Sequence, residues 1–230
     1  MRTIKLFGLV LTMLLGSNAL LQAQDSTYIS NEYAKAVALY QRAQRYNDGA
    51  LQKQALMEMA VLSPRDTAVL RSLAELYYNN GQFISSALVA GDMNTVDPTS
   101  IIAMEIQALS FENLRLYDKA VENYEKLWLQ TDDNNVLYQI AYLQYSLKRY
   151  EESINNLAIL ESKITDDTII TLNKSDGTAQ EVKMKAAMDN LRGLVSYDQG
   201  KTDEAKGFFQ SALGRSPEFE APKLSLEGMN

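Results

Sequence analysis

The sequence contains no cysteine and no histidine, which removes the side chains behind much of protein chemistry. Without cysteine the chain forms no disulfide and has no thiol nucleophile, and without histidine it lacks the commonest general base and metal ligand. The catalytic groups that remain are carboxylates, Lys, Tyr and Ser, and no pair of acidic residues forms a recognisable catalytic motif. We therefore expect a protein that is not an enzyme and that uses no cofactor and no metal.

Long apolar runs are also scarce, and the longest, residues 6–16, follows the basic residues Arg2 and Lys5. A basic start, an apolar run of this length and a more polar continuation are typical of a secretory signal peptide, and the run is too short for a comfortable membrane span. We predict a signal peptide over residues 1–23, with cleavage after Ala23 or, alternatively, after Ala19. The expected product is an exported, soluble protein without stable membrane insertion, located in the periplasm of a Gram-negative bacterium.

Positive charge is in deficit, with 22 basic against 29 acidic residues and a formal net charge of −7. Removal of the predicted signal peptide takes away Arg2 and Lys5, which leaves 20 basic residues and a net charge of −9. A surface this acidic repels phosphate backbones, so nucleic acid is excluded as an expected partner.

A repeat of about 34 residues organises the rest of the chain. Pro64 and Pro98 lie 34 residues apart, Asp132 lies another 34 residues on, and Pro217 ends a later copy. Apolar residues spaced three and four apart within each interval predict pairs of helices, with a break at Gly81 in one of them. A small residue recurs where two helices must approach closely: Ala74, Ala108, Ala141 and Gly193.

The segments LRSLAELYYNNGQFISSALVAGDMNTVDP (residues 70–98) and GLVSYDQGKTDEAKGFFQSALGRSP (residues 193–217) resemble the tetratricopeptide repeat (TPR) most clearly. The resemblance covers about residues 33–219, and it implies an all-α fold, an α-solenoid of helix-turn-helix repeats. Asp189 and Arg192 depart from it, because the family usually has apolar residues there. The predicted units are a weak helix pair at 30–66, three repeats at 67–100, 101–133 and 134–164, a last repeat at 186–219 and a short cap or tail at 220–230.

Residues 165–185 interrupt the helical pattern and predict an inserted β-hairpin. Alternating apolar residues flank Asp176-Gly177, a pair that favours a tight turn. Two roles remain open for this hairpin. It seals the gap between neighbouring helix pairs, or it forms a wall of a binding surface and an edge strand that a partner extends.

Resemblance to the TPR family implies a non-catalytic scaffold that binds a segment of another protein in a concave groove lined by the first helix of each pair. The residues expected to face this groove lie off the packing face of those helices: Arg71, Tyr78, Asn79, Glu105, Glu112, Asn113, Tyr138, Tyr142, Tyr145, Asn190 and Tyr197. Acidic and tyrosine side chains favour a neutral or basic segment. Carbohydrate binding in the bacterial envelope is the alternative, and the short C-terminal cap leaves self-association open.

Overall fold

The computed structural model describes residues 26–229, which form eleven helices and one β-hairpin. The helices follow one another in pairs, which confirms the predicted all-α solenoid with an inserted hairpin. The predicted signal peptide, residues 1–23, lies outside the described residues. No helix within residues 26–229 is both long enough and apolar enough to cross a bilayer.

The chain divides into two compact units, and the first ends at Pro98. Its helices are α1 (residues 26–45), α2 (Gly49–Leu62), α3 (Thr67–Asn79) and α4 (Phe83–Val96). Apolar residues three and four apart on these helices form one buried cluster: Ala36, Leu56, Met59, Val69 and Leu73.

The second unit begins at Thr99 and contains the remaining elements. These are α5 (Ile101–Asn113), α6 (Tyr117–Thr131), α7 (Asn134–Ser146), α8 (Tyr150–Lys163), β1 (Ile169–Asn173), β2 (Ala179–Lys183), α9 (Met184–Asp198), α10 (Thr202–Arg215) and α11 (Glu220–Gly228). One buried cluster joins α5, α6 and α7 through residues such as Met104, Tyr124 and Ile140. A second cluster joins α7, α8, the hairpin and α9 through residues such as Leu137, Ile170 and Met188.

Acidic and hydroxyl side chains start the first helix of successive pairs. The Asp66 carboxylate accepts hydrogen bonds from the backbone N–H groups of Ala68 and Val69 at the start of α3. Ser100 caps α5 and Asp133 caps α7 in the same way. Each cap satisfies a backbone donor that the first turn of a helix leaves unpaired, which explains why these residue types recur at this point of the repeat.

The turn inside each pair places one residue in the left-handed region. Gly81 has φ 70° and Gly200 has φ 77°, and the left-handed position predicted at Gly81 is confirmed. Arg115 (φ 56°) and Lys148 (φ 60°) take the same conformation at the matching turns although they carry side chains. Glycine adopts this conformation without a steric penalty, so the turns with Arg115 and Lys148 are more strained than those with Gly81 and Gly200.

Small residues allow the two helices of a pair to approach closely. The Ser86 hydroxyl donates to the Ala74 carbonyl at 2.9 Å, and Ser153 donates to Ala141 at 2.7 Å. Gly193 lies so near Phe209 that an added Cβ would come within 2.5 Å of its ring.

The last helix pair contains a buried ion cluster in place of the usual apolar contact. The carboxylate of Asp189 accepts hydrogen bonds from Ser211 (2.7 Å), Arg215 (2.8 Å) and Arg192 (3.3 Å). Arg192 also pairs with Glu161 on α8 at 2.6 Å. The charged residues that depart from the repeat pattern therefore neutralise one another, which is the condition for burying a carboxylate.

The hairpin pairs β1 with β2 in antiparallel register, with Thr171 opposite Glu181. Its loop, residues 174–178, places Gly177 at φ 81°, and the Asp176 carboxylate accepts from the backbone N–H and the hydroxyl of Thr178. Ile170 and Val182 face the helices and are buried.

The segment between α10 and α11 holds the hairpin in place. Glu220 accepts two hydrogen bonds from Ser175 at the loop, at 2.7 and 3.0 Å. The backbone N–H of Lys183 donates to the Ser216 hydroxyl at 3.0 Å, and the Gln180 amide donates to the Glu218 carbonyl. The hairpin and the start of α11 are thus joined at the C-terminal end of the second unit.

Candidate functional site

The first helices of the pairs in the second unit, α5, α7 and α9, carry most of the predicted binding residues. We call their solvent-accessible side chains the first-helix face. Tyr142 on α7 is 42% exposed, Tyr197 on α9 is 48% exposed, and Tyr145 is half-buried. Tyrosines of this kind combine a large apolar ring with a polar hydroxyl, which suits them to contact with another molecule.

Two predicted binding residues lie in the core instead, and their positions correct the expectation. Tyr138 is only 5% exposed, and its hydroxyl donates to the Ala187 carbonyl at 3.4 Å. Burial raises the pKa of Tyr138 far above its ordinary value. Asn190 is 6% exposed. Since both side chains are buried, neither belongs to the first-helix face.

Three tyrosines form a row along one side of this face. The ring centroids of Tyr142 and Tyr145 are 6.4 Å apart, and those of Tyr145 and Tyr150 are 6.1 Å apart. The Tyr150 hydroxyl donates to the Asp198 carboxylate at 3.2 Å. Burial, followed by the charge of Asp198 and a hydrogen bond with its carboxylate, raises the pKa of Tyr145 to about 12.

Glu112 is fixed next to this row by two hydrogen bonds. Its carboxylate accepts from the Tyr124 hydroxyl at 2.8 Å and from the Gln139 amide at 2.7 Å. Burial and then the nearby Tyr117 and Glu112 raise the pKa of Tyr142. The negative charge of Glu112 therefore acts on the side chain that the row exposes most.

An acidic cavity of about 410 Å³ lies between α5, α6 and α7 beside Glu112. Glu105, Glu112 and Asp133 contribute carboxylates to its lining, and no Lys or Arg is among the residues that line it. The apolar part of the lining comes from side chains such as Leu109 and Val136. A cavity of this composition attracts a basic group and accommodates an apolar one.

The other predicted residues are placed differently. Asn113 is exposed, but its amide donates to the Leu109 carbonyl of the same helix at 2.8 Å. In the first unit, Arg71 is exposed and pairs with Glu75 at 2.7 Å, and Asn79 is exposed. Tyr78 packs edge-on against Phe83, with ring centroids 5.3 Å apart.

The sequence analysis missed Tyr150, Gln139 and Asp198, which take part in the contacts of the first-helix face. Tyr150 is the first residue of α8, and it is not among the residues expected to face the groove. It lies two residues after Lys148, which has the left-handed conformation, and its hydroxyl reaches Asp198 at the end of α9. The second residue after the left-handed position of each turn is therefore the place in the sequence where such a residue can be sought.

The fold can now be compared with solved structures. A crystal structure of YrrB, a TPR protein with an unusual peptide-binding site, superposes on the chain with a TM-score of 0.64 at 7% identity. The match covers 90% of this chain and 97% of that one. The chain has the TPR fold.

Two further TPR-fold structures agree. A crystal structure of the MamA protein matches with a TM-score of 0.62 and 14% identity, covering 82% of this chain and 94% of that one. A tetratricopeptide repeat protein from Parabacteroides merdae ATCC 43184 matches with a TM-score of 0.61 and 14% identity, covering 82% of this chain and 68% of that one. No family model matches the sequence, and no curated protein matches it.

Proposed function

We propose that this protein is a non-catalytic scaffold of the bacterial envelope that binds an extended segment of another protein on the first-helix face. The observation that carries the proposal is the acidic cavity between α5 and α7 with the exposed ring of Tyr142 beside it. The YrrB structure, that of a TPR protein with a peptide-binding site, supports the same use of the fold.

The chemistry of the face defines the segment that fits it. Glu105, Glu112 and Asp133 favour a Lys or Arg side chain in the cavity, because no cation of the cavity lining neutralises them. Tyr142 offers a ring for apolar or cationic groups, and its hydroxyl can donate to a backbone carbonyl of the segment. We therefore propose a segment with a basic residue next to an apolar one.

Carbohydrate binding has less support. The single tryptophan, Trp128, is half-buried and packs against both core clusters of the second unit. The Lys163 ammonium lies 5.9 Å from the centre of its ring, so one face of the indole is already covered. A sugar would need an open aromatic face, which Trp128 does not supply.

Photo-crosslinking tests where the partner binds. A photoreactive phenylalanine analogue replaces Tyr142 in one variant and Ile159 in another, since Ile159 is comparably exposed (40%) but lies on the second helix α8. In envelope extract, we expect a discrete crosslinked species from position 142 and none from position 159, and mass spectrometry then identifies it. Equal crosslinking at both positions, or none at 142, contradicts the proposed face.

Substitutions test the chemistry of binding once that species is identified. Tyr142→Ala is expected to lose capture while circular dichroism stays helical. Glu105→Lys reverses one charge of the cavity and is expected to weaken a basic segment at least about tenfold. Glu122→Lys is the matched control, because Glu122 is an exposed carboxylate on α6 that does not line the cavity. Equal binding by the two charge variants contradicts the basic segment.

A further inference from the structure

Strand β1 has an open edge. In an antiparallel pair, every second residue directs its backbone N–H and C=O away from the partner strand. The Lys174 N–H donates to the Thr178 carbonyl, and the Met184 N–H donates to the Thr168 carbonyl. The backbone groups of the even-numbered residues from 168 to 174 therefore face β2. Ile169, Thr171 and Asn173 therefore direct their backbone groups outward, and no residue within 26–229 forms a hydrogen bond with those outward groups.

The opposite edge is already partly engaged by the segment that leads into α11. On β2 the outward residues are Ala179, Glu181 and Lys183, and the Lys183 N–H donates to the Ser216 hydroxyl. Gln180 is joined to the backbone of Glu218 and Glu220. The β2 edge is thus partly occupied and carries the charged residues Glu181 and Lys183, whereas the outward groups of β1 have no partner within residues 26–229.

The β1 edge also lacks the features with which proteins usually block edge strands. Residues 168–173, TIITLN, contain no charge, no proline and no glycine. Edge strands are normally protected by Lys, Pro or bulges, because an open edge pairs with any extended chain. In a chain with 29 acidic residues, an uncharged edge is the part that another copy approaches with least repulsion.

We propose that β1 pairs with β1 of a second copy of this chain, which joins two hairpins into one four-stranded antiparallel sheet. The register places Thr171 opposite Thr171 on a two-fold axis, and Ile169 opposite Asn173. This register alone pairs all three outward residues of each strand, forming six hydrogen bonds between the copies. The arrangement is isologous and closes as a dimer.

The side chains fit the same register. On the face turned to the helices, the buried Ile170 comes to lie opposite Leu172, so the apolar stripe continues across the junction. On the other face, exposed Thr171 meets Thr171, a pair that suits antiparallel strands.

Single cysteines test the register, since the chain has no cysteine of its own. Thr171→Cys places two thiols on residues whose Cα atoms are about 5.5 Å apart, which suits a disulfide. Ile169→Cys is the matched control, because the register separates its two copies by about 13 Å along the strands. We expect a disulfide-linked dimer on mild oxidation from Thr171→Cys and none from Ile169→Cys; equal yields overturn the proposal.

Sedimentation of the cysteine-free protein over a range of concentrations tests association itself. We expect a mass that doubles with concentration. Thr171→Pro removes an outward N–H without touching the bonds inside the hairpin and should weaken association at least about tenfold. Glu181→Pro makes the same change on β2 and should leave association unchanged. A wild-type monomer at all concentrations overturns the proposal, even if a foreign peptide binds β1, and so does a dimer that survives Thr171→Pro.

Discussion

Gly193 has almost no room for a side chain in the repeat packing. An added Cβ would lie 2.5 Å from one ring atom of Phe209, and Phe209 is itself buried and cannot swing away. We predict that Gly193→Ala lowers the free energy of unfolding by about 1–3 kcal/mol, the usual range for overpacking a core. The midpoint of urea denaturation measures this loss.

Gly207 is the control for that substitution. It lies in the middle of α10, and nothing stands within 4 Å of a Cβ added there. Since alanine favours a helix interior by about 1 kcal/mol over glycine, Gly207→Ala should leave stability unchanged or raise it. If both substitutions lower the urea midpoint equally, the effect at Gly193 comes from the conformational freedom of the glycine backbone and not from a steric clash with Phe209.

The tyrosine row predicts a loss of stability at high pH. The pKa of Tyr145 is raised to about 12 in the folded protein, whereas an unfolded tyrosine titrates near 10. The neutral form is favoured by folding, so the contribution of Tyr145 is complete below pH 10 and is lost as the pH rises from about 10 to 12. Tyr145→Phe should flatten part of the decline in the urea midpoint across this window.

Tyr46→Phe serves as the comparison, because Tyr46 is 67% exposed in the first unit. The urea midpoint of the Tyr46→Phe variant should change with pH as that of the wild type does. If both variants decline like the wild type, the ionisation of Tyr145 does not contribute to the pH dependence.

At the scale of the elements, the sequence predicts where the helices lie along the chain better than which side of each helix is buried. The recurring small residues, the left-handed turn at Gly81 and the Asp176-Gly177 loop each follow from local chemistry, and each is present in the structure. Tyr138 and Tyr142 lie four residues apart and therefore share one side of α7, yet Tyr138 is buried and Tyr142 is exposed. The difference depends on where α9 lies, which is information that no residue of α7 contains.

The hairpin and α11 are predicted to lose order together. Glu220 accepts two hydrogen bonds from Ser175, and it is the first residue of α11. Glu220→Gln should weaken this junction by about 1 kcal/mol, since the hydrogen bonds lose their charge. Amide hydrogen exchange should then speed up in residues 169–183, while the helical circular dichroism signal stays unchanged.

Glu227→Gln is the control in the same helix, because Glu227 is exposed and lies at the other end of α11. It should leave the exchange of the hairpin amides as in the wild type. Unchanged exchange in Glu220→Gln would mean that apolar contacts such as Ile170 and Val182 hold the hairpin alone.

At the scale of the whole molecule, the second unit contains everything that a repeat array needs to fold. It has two buried clusters of its own and a terminal helix, α11, that covers α10. Because repeat proteins are stabilised by contacts between neighbouring elements, we predict that a fragment of residues 99–230 stays helical and melts cooperatively.

A fragment of residues 99–200 is the contrast, since it separates α9 from α10 and removes Phe209 from Gly193. It should bury less apolar surface and aggregate or melt broadly. Failure of the 99–230 fragment to melt cooperatively would show that the second unit depends on the first for its stability.

The ion cluster of the last pair bears on how a repetitive chain avoids assembling in the wrong order. Helices α6, α8 and α10 have similar shapes, so α9 could in principle select the wrong neighbour while the chain folds. Only α10 offers Asp189 both Arg215 and Ser211; α6 has Gln130 and Lys126 at the matching places, and α8 has Lys163 and Ile159. An out-of-order pairing would replace the Ser211 hydroxyl by Ile159 or the Arg215 guanidinium by the uncharged Gln130, and this loss at a buried carboxylate favours α10 as the neighbour of α9.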